Sequence, residues 1–550
     1  MNKLVLSLCI VALTLNSCEQ SAEKKATDPG QEFDVVILNG RVMDPETKFD
    51  GVRNVGIKDG RIALITEEAI TGKETIDAKN HVVSPGFIDN HWHWPRPVGY
   101  KMGLRDGVTT AMDLEWGCYG PNIGKWYDMH EGRSQVNYGT GSSHEAARGA
   151  VLQDMDNDAL LDAVMSGIAV RSGPNWAYGV VDEESGNKML QILDEGLQQG
   201  GLGICATMGY WPGNFARETF EVHKLASKYD RFYAIHSRYT PGNATLEANG
   251  AQEILANAVA LNAPAVVCHF NNPGWELVHE LLVRLREQGH NVWGEVYPYA
   301  AGSTTINAPF IEPDNWIKKL GNTYEETLQD PLTNEFYTLE TYKAEVAKDP
   351  TKEILLYKAP AEDIPSWVAL PGVVTASDAM APVMGGWDQL PWDTKYEDLP
   401  NGHPRLAGTR GKTIRIAREN SIPLMQVIST MSYNPALYLG NTGLKSMQER
   451  GRMQEGMVAD ITIFDPENVT DNSTYTKGTV PTTGIPYVLV NGTVVVKDSK
   501  VLPDVFPGRP IRFDPTNSKY EAVDPEIWKT QYLATPIDHV HHLDDCIHGF

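Results

Sequence analysis

The chain has 550 residues, with 47 Lys and Arg against 71 Asp and Glu, for a formal charge of −24. So acidic a surface repels a polyanion, which argues against nucleic acid as a partner. A hydrophobic fraction of 41% with 49 Gly and 34 Pro excludes a disordered or fibrous chain, and the length suits one large domain with a satellite, or roughly two to three domains.

Lys3 is followed by an apolar run, Leu4 to Leu15, that matches the hydrophobic part of a secretory signal. It is well short of the roughly 20 residues needed to span a bilayer. The run ends in Leu15-Asn16-Ser17-Cys18, which resembles the lipobox of bacterial lipoproteins, where the Cys becomes the lipidated first residue. Residues 1–17 then form a signal peptide, Cys18 the lipidation site and residues 18–32 a polar tether, with the lipid as the only membrane attachment. The competing reading is ordinary secretion with Cys18 incidental. On the lipobox reading the protein sits in a bacterial cell envelope, facing periplasm or cell surface. Of the six Cys, the four beyond this leader (Cys118, Cys205, Cys268, Cys546) show no CxxC spacing, so disulfides do not organise the fold.

Asp34 to Leu38, Asn39-Gly40 and Arg41 to Met43 predict a hairpin, and short strands broken by glycine turns continue through Val55 to Ile57, Asp59-Gly60, Arg61 to Ile65 and His81 to Val83. A matching set returns at Asp460 to Phe464 and at Tyr487 to Val490, which turns at Asn491-Gly492 into Thr493 to Val496. The two β segments, 33–84 and 455–515, predict one small β-sandwich built from both ends. Between them, residues 85–454 alternate short buried strands with helical stretches, the pattern of βα units around a parallel sheet. Strand candidates are Gly86 to Asp89, Thr109 to Leu114, Gln135 to Tyr138, Gly203 to Thr207, Phe232 to Ile235, Ala265 to Cys268, Asn291 to Val296 and Val373 to Ala376. Eight such strands fit an α/β fold of the closed (β/α)8 TIM-barrel type. Residues of about 310–365 are too long for a bare connection and predict an inserted subdomain over the active-site mouth. Residues 516–550 read as an irregular tail whose His539, His541, His542, Cys546 and His548 form a weakly specific metal-type tract.

The most informative string is Pro85-Gly86-Phe87-Ile88-Asp89-Asn90-His91-Trp92-His93. In an extended chain residues i and i+2 share a face, so His91 and His93 present two imidazoles at the carboxyl end of a strand, where barrel enzymes keep their sites. Neutral imidazoles are good Zn²⁺ ligands. The second strand closes at Asp113-Leu114-Glu115, offering either carboxylate to a cation; the fifth and sixth run into His236 and His269; the eighth ends in Asp378. Arg238 follows His236 by two residues, so its guanidinium shares that face and could grip a substrate carboxylate as a bidentate pair. Tyr210, Tyr297 and Ser303 are candidates to add hydrogen bonds to the substrate, with packing or capping as the alternative role for each.

This set resembles the amidohydrolase superfamily, and within it the N-acyl-D-amino-acid deacylase group. The likeness runs from about Asp34 to Arg512 and is carried by Pro85 to His93, Gly107 to Thr110, Gly209 to Gly213, Glu295 to Thr304, and Ser377-Asp378 with His403 to Thr409. It implies a (β/α)8 barrel with a small β-sandwich, one or two zinc ions held by His91, His93, His236 and His269, and Asp378 as catalytic acid and base. Where well-known members carry a bridging Cys, this chain has Leu114-Glu115-Trp116; Glu115 fits the bridge, as in a branch acting on N-acyl-D-glutamate, and Cys118 competes for it. No Lys occurs from Gly203 to Tyr210, which argues against the carbamylated-lysine bridge of hydantoinases and dihydroorotases. The implied activity is zinc-dependent cleavage of a linear amide in a small molecule, the deacylation of N-acyl-D-amino acids with an acidic side chain preferred and held through Arg238, with Asp378 moving the water's proton to the leaving nitrogen. A hydrolase of cyclic amides, dipeptides or lactones, and a noncatalytic ligand-binding surface lipoprotein, are the alternatives; the oligomeric state stays open.

Overall fold

The structure is a computed structural model that describes residues 32–155, 159–160, 169–238, 250–381 and 390–529. Cys18, the signal segment and the histidine-rich end of the tail lie outside the described residues. No helix among the described residues is long and apolar enough to cross a membrane.

Eight parallel strands form the centre: β1 (Phe87–Asp89), β2 (Val108–Cys118), β3 (Asn137–Ser143), β4 (Gly203–Ala206), β5 (Phe232–Ile235), β6 (Ala265–Val267), β7 (Val292–Val296) and β8 (Val374–Thr375). They follow one another around the sheet in chain order. The seam between β8 and β1 is closed just past their ends, where Trp92 bridges Ala379 and the His93 amide donates to the Ala379 carbonyl at 2.8 Å. Each strand overlaps one read from the sequence. β4, β5 and β6 are buried throughout, which is why they read as short apolar runs rather than as alternating ones. Ile204, Tyr233, Ile235 and Val267 face the surrounding helices, while Phe232, Ala234, Val266 and Cys268 fill the barrel with Ile88, Met112 and Trp293.

Both chain ends contribute to a separate nine-stranded sheet, joined where Val82–Pro85 pairs antiparallel with Ile461–Phe464. One local expectation is corrected here: Asn39-Gly40 does not turn a hairpin. Phe33–Asp44 is a single strand whose register against Phe49–Lys58 shifts between Ile37 and Gly40, a bulge with Asn39 at φ 61°. An Asn-Gly pair suits a tight turn and a bulge equally, and the long partner strand decides for the bulge. The hairpins at Asp59-Gly60 and Asn491-Gly492 form as read.

The insertion begins earlier than expected. Ala301–Thr305, just past β7, pairs antiparallel with Glu353–Tyr357, which also pairs with Leu328–Gln329. This three-stranded sheet and the segment from Pro309 to Asn322 wall the barrel mouth. The first part of the tail is irregular yet docked: the Thr516 amide donates to the Gln198 carbonyl, the Val523 amide to the Asn187 side chain, and Trp528 is buried against Gly186 of the helix Glu183–Gln198. Trp528→Ala should therefore cost about 3 kcal/mol of stability, visible as a lower urea midpoint. An unchanged midpoint would detach this segment from the folded unit.

Candidate active site

Six groups expected from the sequence meet at the carboxyl end of the barrel. His91 and His93 bring their Nε2 atoms to 3.0 Å from one another. Glu115 Oε2 lies 3.1 and 3.2 Å from these nitrogens, and Asp378 Oδ1 lies 3.5 Å from both. The other Glu115 oxygen, Oε1, is 2.9 Å from His269 Nε2 and 3.0 Å from His236 Nδ1. One carboxylate thus straddles two histidine pairs.

Local structure explains why Glu115 and not its neighbours reaches the centre. β2 breaks register with β3 between Asp113 and Cys118, with Gly117 in the left-handed region at φ 76°. Asp113 Oδ1 accepts the amides of Trp116 and Gly117, each at 3.0 Å, and stands 3.2 Å from His93 Nδ1. One Asp113 oxygen thus shapes the bulge and stands against His93, while Oδ2 is buried with no hydrogen-bond partner among the described residues. Cys118 points elsewhere, buried among Ile123, Trp126, Tyr127 and Tyr138.

A second layer of carboxylates aims the ligands. Glu295, on β7, lies 2.7 Å from His91 Nδ1 and accepts a short hydrogen bond from the Asn90 side chain. With Nδ1 donating to this carboxylate, the His91 Nε2 lone pair faces the cluster. Sequence reading saw Glu295 only as the first letter of a seventh-strand string; its partner lies 204 residues away. Arg405, from the His403-Pro404-Arg405 segment, was likewise missed as a partner and pairs with Asp378 Oδ2 at 2.6 Å. Asp378 and His269 hold positive φ of 55° and 25°, strained conformations for non-glycine residues that persist where surroundings over-determine them. Beside Asp378 the buried Asp89 accepts the Ser377 amide and pairs with Arg410 at 2.6 Å.

The electrostatics follow from this crowd of buried acids. Burial pushes the imidazoles of His91 and His93 down, but Glu115, Glu295 and Asp378 around the first, and Asp113, Asp378 and Glu115 around the second, hold both well above the ordinary range. Burial pushes Glu115 up, and His91, His236 and His269 hold it well below the usual carboxylate range instead. Asp378 behaves alike: burial raises it, while Arg405 and His91 hold it low. His269 goes the other way, pushed by burial down to about 4. Such a site draws positive charge. The 3.0–3.5 Å spacings among His91, His93, Glu115 and Asp378 match the edge of about 3.3 Å of a tetrahedron around an ion with ~2.0 Å bonds, so the donors fit zinc. Glu115, His236 and His269 supply a second set.

No protein-family model matches the chain. It is 27% identical over 488 residues to a D-aminoacylase of Alcaligenes xylosoxydans xylosoxydans, covering 84% of this chain and 95% of that one. To the N-acyl-D-glutamate deacylase of the same organism it is 25% identical over 527 residues, covering 88% and 97%. The N-acyl-D-glutamate deacylase of Bordetella bronchiseptica, solved with zinc and a phosphonate inhibitor, shares the fold at a TM-score of 0.69, with 22% identity over 88% of this chain and all of that one. Over most of its length the chain is similar to deacylases of the amidohydrolase superfamily.

In this chain the metal-type cluster opens into a cavity of about 700 Å³ lined by Tyr210, Tyr297, Ser303 and Arg238. Tyr210 shares a hydrogen bond with Thr304 at 2.9 Å, and its ring lies 4.8 Å from that of His236. The Ser303 hydroxyl donates to Glu353. The expectation for Arg238 is corrected. It faces the cavity as the strand register required, but its Nε and Nη2 donate to both oxygens of Glu253 at 2.8 Å, and Nη1 donates to the Asn214 carbonyl. The fork meant for a substrate already holds a carboxylate.

Metal analysis should find one or two zinc ions per chain, with His91→Ala and His269→Ala each lowering occupancy. Glu295→Gln should weaken zinc affinity by roughly 10–100-fold through His91, whereas Cys118→Ala leaves it unchanged. Full occupancy in both histidine variants would refute the ligand assignment.

Proposed function

We propose that the chain is a zinc-dependent hydrolase of linear amides that deacylates N-acyl-D-amino acids, preferring an acidic side chain. The observation that carries this reading is Glu115 straddling the two histidine pairs, with Asp378 facing the same point. The acidic preference is supported by Glu115 standing where the family resemblance leads one to expect a Cys, and by the names of two relatives that are N-acyl-D-glutamate deacylases.

His91, His93, Glu115, His236, His269 and Asp378 would hold the metal. When bound, zinc supplies a Lewis acid for the carbonyl and a water acidic enough to attack near neutral pH. The residues of the chain do the rest. Asp378, kept ionised by Arg405, accepts the proton of the attacking water and delivers it to the departing nitrogen, because an amine anion is too poor a leaving group to depart unprotonated. Glu295 and Asp113 hold the imidazoles in place through the cycle. The insertion walls the mouth with Phe310 and Trp316, keeping bulk water from the reacting bond.

A cyclic-amide hydrolase would keep the same ligands, but β4 (Gly203–Ala206) offers no lysine for a carbamate, and Glu115 occupies the bridging place. We further propose that Cys18 is lipidated and anchors the enzyme to a bacterial envelope membrane, which the Leu15 to Cys18 motif supports.

With zinc present, N-acyl-D-glutamate should be turned over faster than its L enantiomer and faster than cyclic imides, read as released amine. Hydrolysis of cyclic imides alone would refute the proposal. Asp378→Asn should keep the fold and most of the metal while lowering kcat by about 100-fold or more. A wild-type kcat would make Asp378 structural. Cys18→Ser should move the protein from the membrane fraction to the soluble one; unchanged membrane association would mean another attachment.

A further inference from the structure

We infer that Lys358 receives the substrate's α-carboxylate, with the Tyr297 hydroxyl beside it, an assignment that rests on the deacylase reading above. Any N-acyl amino acid brings a carboxylate into this cavity, and a carboxylate leaving water needs a cation. Four cations line the described wall: Arg171, Arg238, Lys319 and Lys358. Arg238 is spent on Glu253, and Arg171 is spent on both oxygens of Glu145 at 2.7 and 3.0 Å. Lys319 stands exposed at the rim.

Lys358 differs from all three. It follows the insertion strand Glu353–Tyr357, is half-buried, and among the described residues its ammonium makes no hydrogen bond or ion pair. The Tyr297 hydroxyl is also free of any hydrogen bond among the described residues. The two meet over Gly302: the point where a Cβ would sit on that glycine is 3.4 Å from the Tyr297 hydroxyl and 3.7 Å from Lys358 Nζ. A cation and a phenolic donor therefore stand together, unspent, on the cavity wall. Burial pushes the Lys358 ammonium down to about 8, as expected of a cation short of a counter-charge.

Position selects which carboxylate is bound. Lys358 and Tyr297 both feel the charge of Asp378, the group that must reach the scissile nitrogen. The α-carboxylate is joined to that nitrogen through a single carbon, so a group holding it has to lie near Asp378. A side-chain carboxylate, further along the substrate, is under no such constraint. Lys358 therefore reads the feature common to all amino acids, and its place on the insertion makes that subdomain part of substrate recognition as well as a wall.

The test uses zinc-loaded protein and two non-hydrolysable phosphonate analogues of an N-acyl-D-amino acid, one with the α-carboxylate and one with a carboxamide there, titrated calorimetrically. Wild type should bind the acid more tightly. Lys358→Met should weaken the acid by about 100-fold and change the carboxamide by less than about threefold, with Lys358→Arg recovering part of the loss and Lys319→Met changing neither. Equal affinities in wild type, an acid preference that survives Lys358→Met, or equal losses for both analogues would each overturn the inference. Turnover is scored separately. A wild-type protein that hydrolyses no N-acyl amino acid, yet keeps a Lys358-dependent acid preference, would refute the deacylase reading and leave this assignment standing.

Discussion

The site depends on one carboxylate that must serve two sides at once. Glu115 puts one oxygen within 3.2 Å of His91 and His93 and the other within 3.0 Å of His236 and His269. A single carboxylate can do this only if its strand delivers it to the barrel axis, and the break in β2 between Asp113 and Cys118 does so. Asp113 stabilises that break by accepting two amides, so the bulge and the bridge are one device. Around it, Glu295, Arg405 and the Asp89–Arg410 pair are buried charges whose partners lie on distant elements. Leaving any of them unpaired in the interior is costly, which makes the ligand geometry cooperative with the closure of the barrel.

That arrangement links fold to chemistry. The β8–β1 seam, closed through Trp92 and Ala379, sets Asp378 beside His91 and His93. Asp378 and the His91–His93 pair thus come from the last and first strands, brought together only when the barrel is complete. The insertion between β7 and β8 then adds the outer wall, including Lys358 and Phe310. The same polypeptide segment that lengthens the chain before its last strand also shapes what can enter.

Much of this was legible in the sequence because its signals are local. Short apolar runs ending in His236, His269 or Asp378 mark parallel strands and their active ends together, and the spacing of His91 and His93 states their common face. What was not legible needs a distant partner. Asn39-Gly40 could be a turn or a bulge until the length of Phe49–Lys58 was known. The facing of Arg238 was read correctly, yet nothing in the spacing shows that Glu253 fills its fork. Lys358 follows the insertion strand Glu353–Tyr357, whose pairing with Ala301–Thr305 no local signal announces, and that pairing brings it opposite Gly302 at the cavity. Glu295 and Arg405 were visible as residues but not as partners, since they act across 204 and 27 residues of chain.

The central claim, that Glu115 organises the metal centre, is tested most directly by locating the ions in the zinc-loaded protein by anomalous scattering at the zinc edge. The account expects every bound zinc at this site to lie within bonding distance of a Glu115 oxygen, about 2.0–2.2 Å. Zinc held by the histidines with the Glu115 carboxylate turned away would contradict it.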